Sequence, residues 1–321
     1  MLNVAFAGTF SASIEPRVRG YLRAPCDIVV ADEAGVVGKM ADVDVLVTLG
    51  FTREMGEAAK RLKLVQVPGA GLDRIDRAAL PAGTQLANVY GHEVGIAEYV
   101  LGAMLALTRD FGRLDAALRR GAWESQWAVG AAPPPVWPEL AGKTVGILGY
   151  GRIGQCVARR ARAFDMHVIA TRRDTTQRDP HATVRGPEAL GEILAQADYL
   201  VITLPLTPET RGLIGARELS AMKRTAMLIN VARAGIVDEN ALYAALADRT
   251  IAAAALDVWY QYPATAAATF PSRRPFHELP NVLMTPHVSG WTEGMMEERA
   301  KVIAQNIERI ARGEAPINLI R

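Results

Sequence analysis

The chain has 321 residues, half of them hydrophobic and 22% charged, with a formal net charge of +2. That length holds two domains with sizeable cores, and the balance excludes a disordered chain or a polyanion-binding surface. No apolar run is long enough to span a bilayer, the first ten residues carry no basic leader, and Cys26 and Cys156 lack metal-ligand spacing. A reduced, cytoplasmic protein with no metal, nucleic acid or membrane partner is expected.

Apolar runs at Leu2–Ala7, Cys26–Ala31, Val43–Leu49, Leu62–Val67 and Gln85–Val89 read as strands. Helical patterns such as Thr52–Arg61 lie between some of them, which implies a parallel sheet covered on both faces. Pro68-Gly69-Ala70-Gly71-Leu72-Asp73 follows a strand end. Its backbone either approaches a small ligand closely or simply turns. A long helix follows, with Ile96, Tyr99, Val100, Ala103, Met104 and Leu107 on one stripe. The segment Gly121–Pro138 holds Trp123, Trp127, Trp137 and the run Pro133-Pro134-Pro135. It reads as an extended connection whose aromatics pack over the core or against another subunit.

The next strand, Thr144–Leu148, runs straight into Gly149-Tyr150-Gly151-Arg152-Ile153-Gly154, and Ile153, Val157, Ala161 and Phe164 then recur at helical spacing. A G-x-G-x-x-G between a strand and a helix is a dinucleotide-binding turn. The first glycine allows the bend, the second lets backbone approach a pyrophosphate, and the third lets the helix pack close. Strands are expected at Met166–Thr171, Tyr199–Leu204, Met227–Val231, Ile251–Val258 and Val282–Thr285. Helices are expected at Ala189–Ala195 and at Glu239–Leu246, the latter capped by Asp238. A final helix spans Glu293–Arg312, with Ala300, Ile303, Ile307 and Ile310 on one face, and can swing back onto the first unit.

Three strand ends of the second unit carry chemistry. Arg233, in Asn230-Val231-Ala232-Arg233-Ala234-Gly235-Ile236-Val237-Asp238, is suited to clamp a carboxylate with two parallel hydrogen bonds, or to make a structural ion pair. His287, in Thr285-Pro286-His287, is a candidate general acid–base or a structural histidine. Leu256-Asp257-Val258-Trp259-Tyr260-Gln261-Tyr262-Pro263 leads from the third strand end into a long loop.

Together with the glycine turn, these motifs resemble the D-2-hydroxyacid dehydrogenase family, which includes glyoxylate/hydroxypyruvate reductases, phosphoglycerate dehydrogenases and formate dehydrogenases. The resemblance covers essentially the full length. It implies two Rossmann-like or flavodoxin-like α/β domains with parallel sheets and an active-site cleft between them. Residues 1–93 and 292–321 would form a discontinuous substrate domain, and residues 94–291 the NAD(P)-binding domain. It also implies that Arg233 binds the substrate carboxylate, that His287 transfers the proton, and that Ala70 and Gly71 offer N–H groups to the carboxylate. Leu204, Pro205, Thr210, Val231, Ala232, Asp257 and Gly290 would touch the cofactor beside the turn from Gly149 to Gly154. Family members are commonly homodimers.

The chain departs from the family wording in four places. Ala234 stands where glycine usually follows the arginine. Tyr262 stands where a glutamate usually partners the histidine, and formate dehydrogenases carry glutamine there. A phenol stabilises imidazolium only weakly, so His287 is expected to have a lower working pKa than in relatives with glutamate. An alanine-rich loop, Ala264–Phe276 with Arg273 and Arg274, either covers the cleft, adds a cation or is solvated. His92 stands near the expected substrate position and is a candidate for shaping it.

The cofactor preference turns on Thr171-Arg172-Arg173-Asp174. An acidic residue at the second strand's end would bind ribose hydroxyls and repel a 2′-phosphate. Arg172, which stands there instead, is suited to fork onto a phosphate, with Thr171 able to donate to it, or to stack on adenine with both cofactors used. NADPH is therefore expected over NADH, unless Asp174 reaches the ribose. The leading expectation is an NADPH-preferring reductase of a small 2-oxoacid such as glyoxylate or hydroxypyruvate. The alternatives are a formate dehydrogenase-like oxidase and a nucleotide-sensing protein with weak catalysis.

Overall fold

A computed structural model describes residues 1–130, 134–176, 178–265 and 267–320. Pro133 of the proline run and Ala266 of the alanine-rich loop therefore lie outside the described residues. In chain order the elements begin with β1 (Leu2–Ala7), α1 (Thr9–Tyr21), β2 (Cys26–Ala31), β3 (Val45–Thr48), α2 (Arg53–Ala58), β4 (Leu64–Gln66) and β5 (Gln85–Ala87). They continue through α3 (Glu93–Arg109), α4 (Phe111–Arg119), β6 (Thr144–Leu148), α5 (Arg152–Ala163), β7 (His167–Thr171), β8 (Thr183–Arg185), α6 (Leu190–Gln196) and β9 (Tyr199–Ile202). The chain closes with α7 (Ala216–Ser220), β10 (Met227–Asn230), α8 (Glu239–Ala247), β11 (Ala253–Leu256), β12 (Val282–Met284) and α9 (Glu293–Ala311).

Two compact units result, Met1–His92 with Trp291–Arg321, and Glu93–Gly290. Among the described residues, the first holds a parallel sheet in the order β2-β1-β3-β4-β5. The second holds a parallel sheet in the order β12-β11-β10-β9-β6-β7-β8. Because these strands are buried on both faces, they read as unbroken apolar runs rather than as an alternation. The fold is α/β with two parallel sheets, as expected.

The first sheet is covered on one side by α1 and α9. Ala300, Ile303, Ile307 and Ile310 of α9 are buried there with Val4, Phe6, Ile14, Val18, Val45 and Leu64. A buried amide ladder fixes α9 on this sheet. Asn306 is 0% exposed; its Nδ2 donates to Gln66 Oε1 at 2.6 Å, and its Oδ1 accepts from the Ile317 N–H at 2.6 Å. Satisfied on both atoms, it specifies position without leaving an orphan polar group. In the second unit α3 packs against α5, with its predicted stripe of Ile96, Val100, Ala103 and Met104 in the core.

Several strands are shorter than the apolar runs that announced them. Leu62 and Val67 are buried outside the β4 ladder, and Ile251 and Val258 outside that of β11, because burial continues after pairing stops. The elements α1, α4 and β8 are among those not expected. The polar pattern of α1, with Pro16 inside it, hides a helix. The left-handed backbone of Asp110 (φ 54°) separates α4 from α3 instead of ending helical structure. The three residues of β8, Thr183–Arg185, are too few to show a period. Among the described residues no helix is long and apolar enough to cross a membrane.

Candidate active site

The glycine turn has the geometry its sequence implied. Gly149 has φ +100°, and a Cβ there would stand 2.9 Å from the Leu204 backbone nitrogen. One on Gly154 would stand 2.7 Å from the Gly149 carbonyl oxygen, whereas one on Gly151 would meet nothing within 4 Å. Two glycines thus serve close packing, and the third faces open space. Gly151 is also the N-cap of α5, and no side chain caps that helix. Its first-turn N–H groups and the positive end of its dipole suit a pyrophosphate. The residues present therefore fit a dinucleotide.

Supports for the turn come from neighbouring strand ends. Thr203 Oγ1 donates to the Gly149 carbonyl at 2.6 Å, and the Gly149 N–H donates to Thr171 Oγ1 at 3.3 Å. The Tyr150 N–H donates to the Thr171 carbonyl at 2.7 Å. Tyr150 and Thr171 are both buried. The Thr171 hydroxyl oxygen braces the turn as an acceptor and keeps its own proton to donate, and the Tyr150 side chain lies in the core beneath it. The Thr210 hydroxyl is engaged within its own loop. It donates to the Pro205 carbonyl at 2.7 Å and accepts from the Thr207 N–H at 2.8 Å, so it shapes the Leu204–Pro205 loop. Val231 and Ala232 are buried with their side chains in the two cores of this unit, which leaves only their backbone for a ligand.

At the end of β7, the Arg172 N–H donates to the Arg185 carbonyl of β8 at 2.9 Å, and its Nε donates to the Asp174 carbonyl. Arg173 is exposed. Asp174 is turned onto its own loop: Oδ1 accepts from Thr176 N–H at 3.0 Å and Oγ1 at 2.6 Å, which holds its carboxyl below the usual carboxylate range. One oxygen of this acid is thus engaged within its own turn.

Arg233 follows β10 and is presented by an asparagine brace. Asn230 Oδ1 accepts from the Ala232 N–H at 3.1 Å, while its Nδ2 donates to the Arg233 carbonyl at 3.1 Å. The guanidinium touches the chain through Nη1, which donates to the Ala232 carbonyl at 2.8 Å. It is close enough to both Tyr262 and His287 to bias their ionisation.

His287 sits in left-handed backbone at φ 58°, a conformation that costs a residue with a Cβ free energy and must be imposed by its surroundings. Asp257 imposes it. That carboxylate is 0% exposed and accepts from Thr285 Oγ1 at 2.6 Å, the Val288 N–H at 2.8 Å and the Ser289 N–H at 2.8 Å. The residues on both sides of His287 are therefore tied to one buried charge. Tyr99 Oη is bonded to Thr285 Oγ1 at 2.7 Å, and Trp259 Nε1 donates to the Thr285 carbonyl at 2.8 Å.

Tyr262 occupies the partner position at the histidine. Its Oη lies 2.8 Å from His287 Nδ1 and accepts from the Trp259 N–H at 3.4 Å. The protein packed around the imidazole lowers its pKa by desolvation; the Asp257 carboxylate opposes this and the Arg233 guanidinium reinforces it. Desolvation pushes the Tyr262 phenol up. His287 and Tyr262 nevertheless keep solvent exposure.

Ala70, Gly71 and His92 belong to the other unit. The Ala70 carbonyl accepts from Asn88 Nδ2 at 3.0 Å, which holds the loop after β4, and Gly71 follows it half-exposed. His92 Nδ1 lies 3.0 Å from Arg299 Nη2 of α9. The arginines of the alanine-rich loop are tied to the start of α8, Arg273 through its backbone and Arg274 through its side chain. Arg273 N–H donates to Glu239 Oε1 at 2.8 Å, and Arg274 Nε donates to Asn240 Oδ1 at 2.8 Å. Sequence reasoning gave no role to Asn230, Thr203, Thr285 or Tyr99. A small polar side chain at a strand end, beside a functional residue, was the signal available.

Residues 101–289 match the profile of the D-isomer specific 2-hydroxyacid dehydrogenase, NAD binding domain. The chain belongs to that family. As a member it is an NAD(P)-dependent oxidoreductase acting on CH–OH groups. The chain is 36% identical over 295 residues to a D-3-phosphoglycerate dehydrogenase of Methanocaldococcus jannaschii, covering 88% of this chain but 52% of that relative, about half its length. It is 35% identical over 293 residues to a glyoxylate reductase of Pyrococcus horikoshii, covering 88% of this chain and 84% of that one. A crystal structure of a D-isomer specific 2-hydroxyacid dehydrogenase from Xanthobacter autotrophicus in complex with NADPH and MES aligns with a TM-score of 0.79 at 29% identity. That alignment covers 100% of this chain and 98% of the other.

Proposed function

We propose that this dehydrogenase reduces a small 2-oxoacid, of the size of glyoxylate or hydroxypyruvate, to the D-2-hydroxyacid, with NADPH preferred over NADH. The observation that carries the reading is the group formed by Arg233, His287 and Tyr262 at adjoining strand ends of the unit that bears the glycine turn. In open α/β sheets ligands collect at such strand ends. The relative named glyoxylate reductase supports the substrate class.

NADPH would lie with its pyrophosphate on the backbone from Gly149 to Gly154, its 2′-phosphate near Arg172 and Arg173, and further contacts from Leu204, Pro205, the Val231–Ala232 backbone and Gly290. When bound it supplies a hydride to the carbonyl carbon. Arg233 holds the substrate carboxylate with its planar fork and draws charge from the carbonyl, a preorganised interaction that strengthens as the oxygen becomes anionic. Ala70 and Gly71 would offer N–H groups to the same carboxylate, and His92 would border it. Protonated His287 gives its Nε2 proton to the developing alkoxide. Tyr262 accepts from Nδ1–H in both states, so the ring left after the transfer keeps its proton on Nδ1 and turns a bare Nε2 to the product. The chain acts as a cytoplasmic homodimer in this reading, supported by two free cysteines and by exposed Trp123, Trp127 and Val136.

A panel of 2-oxoacids assayed with NADPH and NADH tests the reading, with Arg233→Ala as control. Turnover of small 2-oxoacids, lost in the variant while NADPH binding survives, supports it. No turnover on any 2-oxoacid with cofactor still bound favours a nucleotide sensor, and formate oxidation favours the formate dehydrogenase alternative.

A further inference from the structure

The unit formed by Met1–His92 and the C-terminal segment repeats, with different residues, the topology on which the other unit builds its nucleotide turn. In the second sheet the glycine turn follows β6, which lies between β7 and β9. In the first sheet β1 lies between β2 and β3, so strand order reverses at β1 and β3. That reversal opens a crevice at the carboxyl ends of the strands. A hollow of about 460 Å3 is found there, lined by Gly8, Ser11, Asp32, Glu33, Leu49 and Arg74 among others. Its volume lies in the range of small-molecule sites, on the order of 300–1,000 Å3.

Four features of the lining point to a ligand. Gly8 has φ +88° and is the N-cap of α1, a helix of 13 residues that no side chain caps, so its first-turn N–H groups lack intrahelical acceptors. Ser11, in that first turn, is 1% exposed, and its hydroxyl has no hydrogen-bond partner among the described residues. An unpaired buried hydroxyl is costly unless something supplies its bond. Asp32 and Glu33 follow β2 immediately, at the place where an acid accepts from ribose hydroxyls in dinucleotide sites. Arg74 pairs with Glu33 beside the hollow; a Cβ on Gly50 would lie 3.1 Å from Arg74 Nη2, and one on Gly8 3.2 Å from Glu33 Oε1.

We propose that this hollow is a second ligand site, for a 5′-phosphorylated ribose, with the phosphate on the first turn of α1 beside Ser11 and Arg74 and the ribose hydroxyls on Asp32 and Glu33. The charges are consistent with that orientation. The helix end and Arg74 favour an oxyanion on one side, and the carboxylates accept from hydroxyls on the other. A free sugar phosphate and a nucleoside monophosphate share this chemistry.

The test is calorimetric titration of the full chain with ribose 5-phosphate in the presence of saturating NADPH, which keeps the ligand off the turn of the other unit. Saturable binding is expected, weakened at least about tenfold by Asp32→Asn and by Arg74→Gln, with NADPH affinity unchanged in both variants. AMP binding more tightly than ribose 5-phosphate under the same conditions identifies the natural source as a nucleotide and supports the site. Absence of saturable binding up to about 10 mM overturns the proposal, as does affinity unchanged from the wild type in the two variants. Inorganic phosphate binding as tightly as ribose 5-phosphate also overturns it, because the acids would then contribute nothing.

Discussion

Replacing Tyr262 by glutamate restores a carboxylate beside His287 Nδ1, 2.8 Å from the present phenol oxygen. Two unit charges about 4 Å apart gain about 1 kcal/mol with the screening of bulk water and about 4 kcal/mol at an effective dielectric constant near 20. Tyr262 is 53% exposed, so the smaller figure governs, and about 1.4 kcal/mol corresponds to one pKa unit. Tyr262→Glu should therefore raise the working pKa of His287 by about one unit. Reduction needs the imidazolium, so its rate falls as pH rises through that pKa, and packing around the wild-type ring places this fall below the usual histidine value. At a pH about one unit above the wild-type midpoint, the protonated fraction rises from about a tenth to about a half, a gain of about fivefold in kcat/KM. The assay is the pH dependence of kcat/KM for 2-oxoacid reduction in wild type, Tyr262→Glu and Tyr262→Phe. The phenylalanine variant should lose rate without gaining an upward shift. An unmoved midpoint in Tyr262→Glu, or an equal upward shift in Tyr262→Phe, refutes the reasoning. So does a wild-type profile that stays flat well above neutral pH.

Asp257→Asn should cost about 2–3 kcal/mol of stability, because an amide cannot accept all three bonds now made to a fully buried carboxylate. It should also lower kcat, since His287 loses the clamp on its left-handed backbone; denaturant unfolding and steady-state kinetics read the two effects, and an unchanged kcat would remove the positioning role. Arg172→Ala should raise KM for NADPH about 10- to 100-fold and leave NADH nearly untouched, the worth of one charge-assisted contact to a phosphate. Equal losses with both cofactors would mean that Arg172 supports the adenosine and not the 2′-phosphate.

The architecture was largely legible because parallel strands buried on both faces leave continuous apolar runs, and because Gly149, Gly151 and Gly154 sit where the chain cannot tolerate other residues or must leave space. Arg233, His287 and Tyr262 were legible from motif wording. Their supports were not. The three bonds to Asp257 join residues 28 to 32 positions apart, and no local period announces them. The hydroxyls of Thr171 and Thr210 have partners within the protein, Gly149, Pro205 and Thr207, that no local pattern announced, because a hydroxyl's partner is set by tertiary packing. The ties of the alanine-rich loop are equally non-local, because Glu239 and Asn240, which hold Arg273 and Arg274, lie more than thirty positions earlier.

The central claim, reduction of a 2-oxoacid by proton donation from His287 with the carboxylate on Arg233, is tested most directly on hydroxypyruvate, whose product is chiral. The account predicts NADPH-dependent formation of D-glycerate by the wild-type protein, with turnover abolished in His287→Ala while cofactor binding is retained. L-glycerate as the product, or undiminished turnover in His287→Ala, would contradict it.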